Sequence, residues 1–152
     1  MALNLKRDFD PHDYVEVVNG YPGQLVYRSK KTGEETIWDE YLDVQELELQ
    51  ELKNAKASAK TFFNAHWFII DPDVQAWLGV TKQYENWRSD EEIVHMCKGD
   101  PSKIINYIDS LTGDQRDTFL SRLCKLISGG AIDSRNVIKA LKEKLHFDLI
   151  DE

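Results

Sequence analysis

The sequence predicts an α+β fold: a small N-terminal antiparallel β-sheet packed on one long helix, followed by a C-terminal bundle of short helices. Two observations support this prediction. Residues 14–47 contain short runs of β-branched and aromatic residues separated by turn sequences. Residues 89–145 show apolar residues at three- and four-residue spacing, interrupted by helix stop and start signals. The predicted organisation is an irregular arm (1–13), a β-meander with the long helix and an apolar connector (14–80), and a helical lobe (81–152).

Composition limits the class of protein. The chain has 152 residues, a formal net charge of −8 and 41% hydrophobic residues, as expected for one soluble domain with two lobes. Its longest apolar run, Trp67–Ile70, is too short to cross a bilayer, and its start lacks the apolar run of a secretory signal. We therefore expect a cytosolic protein without a membrane partner. The acidic balance also argues against nucleic-acid binding, which needs a concentrated positive face. In the β part the strands carry more acid than base, through Glu16, Glu34, Glu35, Asp39 and Glu40.

Residues 1–13 show no helix or strand period. They fit either a frayed terminus or an arm that docks on a neighbouring subunit. In the second interpretation, which we adopt as the prediction, Leu3, Leu5 and Phe9 are the anchors. Deleting the arm is then expected to leave stability within about 1 kcal/mol of the intact chain and to abolish assembly.

Four strands are predicted in the β part, at 14–18, 24–29, 34–38 and 43–47. The turns Asn19–Gly23 and Lys31–Gly33 between them favour an antiparallel meander. Within the second strand, Val26 and Arg28 fall on one face and Leu25, Tyr27 and Ser29 on the other.

A long helix is predicted over residues 47–63, which are rich in Leu, Ala, Glu and Lys. The apolar connector that follows is expected to hold a buried strand at 66–70 and a helix that begins at Asp71–Pro72 and ends at Gly79. We predict that it supplies the structural core, with replacement of a buried Trp77 by alanine costing about 3–5 kcal/mol. These core residues are Trp67, Phe68, Ile70, Trp77 and Leu78.

Four short helices are predicted in the last part of the chain. Capping boxes at Ser89–Glu92 and Thr112–Gln115 open two of them, and Asp100–Pro101 opens another. The last helix is expected to be capped by Asp133, with Ile132 and Val137 packed across the cap.

No catalytic or cofactor motif is present. The histidines His12, His66, His95 and His146 lack metal-ligand spacing, and His66 fits a hydrogen-bonded core residue. Cys97 and Cys124 fit core thiols, and helix capping accounts for Asp71 better than a cation site with Asp73. We therefore expect a protein that is not an enzyme and has no cofactor, no metal and no small-molecule substrate.

Several segments resemble small structural proteins of tailed bacteriophages, and the resemblance covers most of the chain from about Tyr14. The segments are Val17–Gly20, Leu25–Tyr27, Lys31–Trp38, Glu51–Asn54, Phe62–Asp71, Asp73–Val80 and Gly129–Leu141. This resemblance implies a virion or assembly component, assembled in the host cytoplasm and located in the particle. It assigns no binding residues.

We therefore expect a non-enzymatic structural or assembly component of a tailed bacteriophage particle. It would act in multiple copies through contacts with itself and with other virion or assembly proteins. The alternative is an acidic adaptor or inhibitor that binds a basic site on a host or viral protein. A third hypothesis is a small enzyme whose catalytic residues come together only in the folded chain.

Overall fold

The computed structural model describes residues 9–145. The chain divides into two compact units, Met1–Glu85 and Asn86–Glu152. A small antiparallel sheet near the N-terminus is followed by several helices, which confirms the predicted α+β class.

The described part of the first unit contains five strands, three helices and a 3₁₀ turn at Thr81–Tyr84. The strands form two separate antiparallel sheets, one in the order β4-β1-β5 and the other a β2–β3 hairpin. The elements are β1 (Tyr14–Asn19), β2 (Leu25–Arg28), β3 (Glu35–Trp38), β4 (Val44–Glu48), α1 (Leu49–Ser58), α2 (Thr61–Asn64), β5 (Phe68–Ile69) and α3 (Pro72–Leu78).

The predicted single meander is wrong, because β1 pairs with β4 and β5 instead of with β2. The Asn19 side chain turns the chain away after β1: its Nδ2 donates to Gly23 O at 2.8 Å and its Oδ1 accepts from Tyr21 N at 2.8 Å. The next residue, Gly20, lies so close to the 66–67 segment that an added Cβ would stand 2.2 Å from His66 O. Only glycine therefore allows the approach by which β5 pairs with β1.

The predicted long helix is broken at Ala59, whose φ and ψ of −143° and 58° are not helical. Local propensity favours a continuous helix, but the break lets both Phe62 and Phe63 reach the Phe68 ring, with centroids 4.9 and 5.5 Å away. Tertiary packing of aromatic rings therefore overrides propensity.

An aromatic cluster around Phe68 forms the core of the first unit. Besides Phe62 and Phe63, the rings of Tyr27 and Trp38 contact Phe68, with centroids 5.8 and 5.5 Å away. Trp38 is fully buried, and its Nε1 donates to Val17 O at 2.9 Å, which ties the hairpin to the three-stranded sheet.

The predicted core residues divide into two groups. Phe68, Ile70 and Leu78 are buried. Trp67 and Trp77 each keep part of their surface exposed, so these two tryptophans border the core instead of filling it. Gly79 ends α3 in a left-handed conformation, as predicted.

The second unit is helical over its described residues. Ile93, Ile104, Ile108, Leu123 and Leu141 are fully buried in a largely aliphatic core. Its helices are α4 (Asp90–Met96), α5 (Pro101–Asp109), α6 (Gly113–Ser128) and α7 (Arg135–Leu145).

The predicted helix starts of the second unit are confirmed with one correction. Both capping boxes form, and the Asp100 side chain accepts from Ser102 N at 3.0 Å. For α7, the cap is Ser134 and not Asp133, because its Oγ accepts from Val137 N at 3.4 Å. The helix begins one residue later than the Asp133 cap would require.

Candidate functional site

Large apolar side chains are exposed in one region of the chain. Among the described residues, every exposed large hydrophobic side chain lies between residues 14 and 44 of the first unit. Single exposed apolar residues are normal on a protein surface, but their concentration in one segment makes that segment the candidate contact surface. The residues are Tyr14, Tyr21, Val26, Ile37, Leu42 and Val44.

The outer face of the β2–β3 hairpin contributes one apolar pair. Val26 and Ile37 are cross-strand partners with 41% and 40% of their surfaces exposed. The alternation predicted for β2 is confirmed, since Leu25, Tyr27 and Ser29 are buried on the opposite face. Gln45 Nε2 donates to Ile37 O at 2.8 Å, which places the start of β4 beside this pair.

The turn before β4 presents two more apolar side chains. Leu42 and Val44 are 48% and 50% exposed. Leu42 has a φ of 72°, a left-handed conformation that bulky residues rarely adopt. The turn is held from beneath by buried Asn19, which accepts from Leu42 N at 2.9 Å and donates its own N–H to Asp43 O at 2.9 Å.

An acidic cleft of about 220 Å³ opens near the base of α1. Tyr27 Oη and Ser29 Oγ donate to the two oxygens of Glu51 at 2.5 and 3.0 Å. Burial, and then the hydrogen bond to Glu51, raise the pKa of Tyr27 above its ordinary value of 10.0. The cleft is lined by Tyr14, Tyr27, Ser29, Thr32, Glu34, Thr36, Glu46, Leu47, Glu48 and Glu51.

Two carboxylates lie side by side on neighbouring strands of the three-stranded sheet. Glu16 and Glu46 are directly opposed in the β1–β4 ladder, and both are exposed. Neither has a side-chain hydrogen bond or an ion pair within residues 9–145. Like charges in such a pair are destabilising, and a cation from a partner would relieve the repulsion.

The predicted interaction residues are only partly in view. Leu3 and Leu5 lie outside the described residues, and Phe9 is half-buried. Next to Phe9, the chain is anchored to α1: Pro11 O accepts from Gln50 N at 2.7 Å and Asp13 O accepts from Leu49 N at 2.9 Å. The described end of the predicted arm is therefore not a free extension; it satisfies the first amides of a helix whose N-cap, Glu48, forms no side-chain cap bond.

The side chains that could bind a metal or take part in catalysis are dispersed over the described residues. Within residues 9–145 no three His, Cys, Asp or Glu side chains are grouped as metal ligands. His66 is a hydrogen-bonded core residue, as predicted, because its Nε2 donates to Gln83 O at 2.5 Å and its ring stacks on Tyr84. His146 lies outside the described residues.

The remaining candidates also have structural surroundings. Cys97 and Cys124 are free thiols, and burial raises the pKa of Cys97 to about 11, which leaves little reactive thiolate at neutral pH. Asp71 is the N-cap residue of α3 and Pro72 begins the helix, as predicted, although the Asp71 side chain makes no cap hydrogen bond. Asp73 Oδ1 accepts from Val74 N at 2.9 Å.

Comparison with known proteins adds no relative: no family model matches the chain, and no curated protein or solved structure matches it either. Within the described residues, no helix combines the length and apolar character needed to span a bilayer. The exposed apolar side chains and carboxylates described above offer apolar and charged contacts to a partner. Sequence reasoning identified the acidic surroundings but missed Asn19 and Leu42, because an Asn-Gly pair signals a turn without indicating which distant residues it will hold.

Proposed function

We propose that the protein is a non-enzymatic structural or assembly component of a tailed bacteriophage particle, acting in multiple copies through protein–protein contacts. One observation supports the contact role above the others: the exposed apolar side chains of the described residues all lie in the segment 14–44. When a partner covers such a surface, its apolar area is removed from water, which favours binding.

The surface has features that suit recognition as well as burial. Val26 and Ile37 sit on a paired hairpin, and Leu42 lies in a turn fixed by Asn19, so little ordering is needed on binding. Pre-organised contact residues raise affinity because less conformational entropy is lost. The bacteriophage assignment itself rests on the sequence resemblance.

A second candidate function is an acidic adaptor or inhibitor of a basic protein. The opposed Glu16 and Glu46, which lack a cation partner among the described residues, favour this alternative. The neighbouring cleft adds further carboxylates from Glu34 and Glu48. A Lys or Arg side chain in this region would gain several charge-assisted contacts.

Counting copies separates the two functions. Particles would be purified from cells producing a bacteriophage whose genome encodes this chain, and the chain quantified by mass spectrometry. Several copies in each particle are expected for the structural component. Absence from particles, together with a one-to-one soluble complex with a basic protein, would overturn that proposal in favour of the adaptor.

A contact-face variant sharpens the same experiment. The double variant Val26→Thr and Ile37→Thr should remain folded, since both side chains are exposed and threonine suits a strand, yet fail to enter particles. A matched control, Glu91→Lys and Lys98→Glu, changes exposed residues of the second unit and should be incorporated normally. Normal incorporation of the contact-face variant would contradict the proposed surface.

A further inference from the structure

Leu42 adopts an unfavourable backbone conformation although its side chain is not packed in the core. Its φ of 72° lies in the left-handed region, which is sterically unfavourable for a residue with a bulky side chain. Leu42 is 48% exposed, so burial of its side chain does not offset the unfavourable backbone conformation. Glycine or asparagine would occupy the same backbone conformation more favourably. Strain held at an exposed position is a feature of binding sites.

The turn that carries Leu42 is rigid. Buried Asn19 makes three hydrogen bonds to it: Nδ2 to Glu40 O at 2.9 Å, the backbone N–H to Asp43 O at 2.9 Å, and the carbonyl from Leu42 N at 2.9 Å. Asp43 closes the turn by accepting from Glu40 N at 3.1 Å through Oδ2. Leu42 therefore projects from a fixed base.

The charge of the chain segment that carries the turn limits which partner surface can bind it. Residues 32–52 contain eight acidic residues and no Lys, Arg or His. A second copy of this chain would bring the same negative segment, and a nucleic acid would bring phosphates, so both are repelled. The complementary surface is an apolar pocket surrounded by Lys or Arg. The acidic residues are Glu34, Glu35, Asp39, Glu40, Asp43, Glu46, Glu48 and Glu51.

We infer that the turn Glu40–Asp43 is a docking knob, whose Leu42, together with Val44, enters an apolar pocket with a basic rim on a different protein. This inference rests on the proposed function for the class of activity and deepens it by naming the partner's chemistry. The strain at Leu42 is retained because the side chain is needed for binding, and Asn19 holds it in the binding conformation.

The test uses a defined probe and the intact chain. A short peptide of alternating leucines and lysines would be titrated into the ¹⁵N-labelled protein at low salt and followed by NMR. Two control peptides replace either the leucines by serine or the lysines by glutamate. The Leu/Lys peptide should shift the amide resonances of residues 40–44, and both controls should shift them much less.

Variants of the turn provide the decisive measurement. Leu42→Gly and Leu42→Asn should melt at or above the temperature of the wild type, because the strain is relieved, yet bind the peptide at least about tenfold more weakly. Ala131→Asn is the matched control: Ala131 is exposed in the second unit, outside the segment 14–44, and the affinity of this variant should be unchanged.

The alternative outcomes each overturn the inference. They are absence of peptide-induced shifts at residues 40–44, equal binding by the Leu42 variants, or shifts at these residues that depend on protein concentration alone, which would identify a second copy as the occupant. If the knob fails but the chain is still found in particles, the proposed function stands and only the partner chemistry is wrong. If the knob binds but no copies are found in particles, the adaptor is favoured instead.

Discussion

The first unit leaves large apolar side chains exposed, whereas the second unit, over its described residues, exposes none. Their cores also differ. Aromatic rings from strands and helices meet around Phe68 in the first unit, while the second packs mainly isoleucine, leucine and valine from four helices. In the helical unit, three helix starts are capped by the side chains of Ser89, Asp100 and Thr112, and the apolar residues form a buried core.

Two groups of charged residues show a further difference between the units. The opposed Glu16 and Glu46 in the first unit have no cation partner among the described residues. In the second unit Arg122 is only 4% exposed, and its guanidinium donates to Asp90 Oδ1 at 2.7 Å and to Arg88 O at 2.9 Å. The exposed apolar side chains and the opposed acids of the first unit are the observations on which the proposed contact role rests.

The largest expected effect comes from the aromatic core. Trp38→Ala should lower the free energy of unfolding by about 3–5 kcal/mol, because a fully buried ring is lost. Trp77→Ala is the comparison: since Trp77 is partly exposed, its cost should be clearly smaller than the value predicted from sequence. Urea unfolding measures both. Equal costs for the two variants would show that the aromatic cluster does not dominate the first unit.

Trp38→Phe provides a finer control. The variant keeps an aromatic ring but removes the Nε1–H that donates to Val17 O, so the buried hydrogen bond that ties the hairpin to the three-stranded sheet is lost. The expected cost is about 1–3 kcal/mol.

The second unit should respond to loss of its buried cation. Arg122→Ala leaves Asp90 without its guanidinium partner and should destabilise by about 3 kcal/mol. Arg116→Ala, on the same helix and more exposed, is the control and should cost under about 0.5 kcal/mol. Unfolding would be followed by circular dichroism. A tolerated Arg122→Ala would mean that the pair is dispensable and that charges are no better satisfied here than in the first unit.

Local signals were sufficient to predict many elements. The capping boxes at Ser89 and Thr112 and the stop at Gly79 depend on residues within a few positions of each other, and all three are confirmed. The alternation of Leu25, Val26 and Tyr27 likewise needs only the two-residue period of a strand.

Long-range choices were not readable from sequence. The partners of β1 depend on how Asn19 and Gly20 meet residues distant in the chain, and the break at Ala59 depends on where the Phe68 ring lies. For the candidate site, the acidic run after Lys31 was visible in advance. The exposure and positive φ of Leu42 were not, because both depend on how the turn sits against Asn19, which is distant in the sequence.

The anchored end of the arm gives a third, smaller effect. Deleting residues 1–13 should cost about 1–2 kcal/mol, because Leu49 and Gln50 lose the carbonyl acceptors at the start of α1. This replaces the expectation that the deletion leaves stability within about 1 kcal/mol of the intact chain. His12→Ala retains both carbonyls and serves as the control, with an expected change below about 0.5 kcal/mol. Urea midpoints that coincide for deletion and intact chain would show that the carbonyls are not needed.

The smallest expected effect is a pH dependence at the same place. His12 Nδ1 lies 3.0 Å from Glu48 Oε2, and this hydrogen bond, followed by the negative charge of Glu48, raises the pKa of His12 above 6.5. The contact therefore contributes to stability fully below pH 6.5 and loses that contribution as pH rises through the folded-state pKa. Because the His12 side chain is 79% exposed, we expect little change in melting temperature and a clear shift only in its own titration. An NMR titration of the imidazole should give a midpoint above 6.5, which the Glu48→Gln variant should lower. A midpoint at or below that value in the intact protein would mean that the end of the arm is held by its backbone alone.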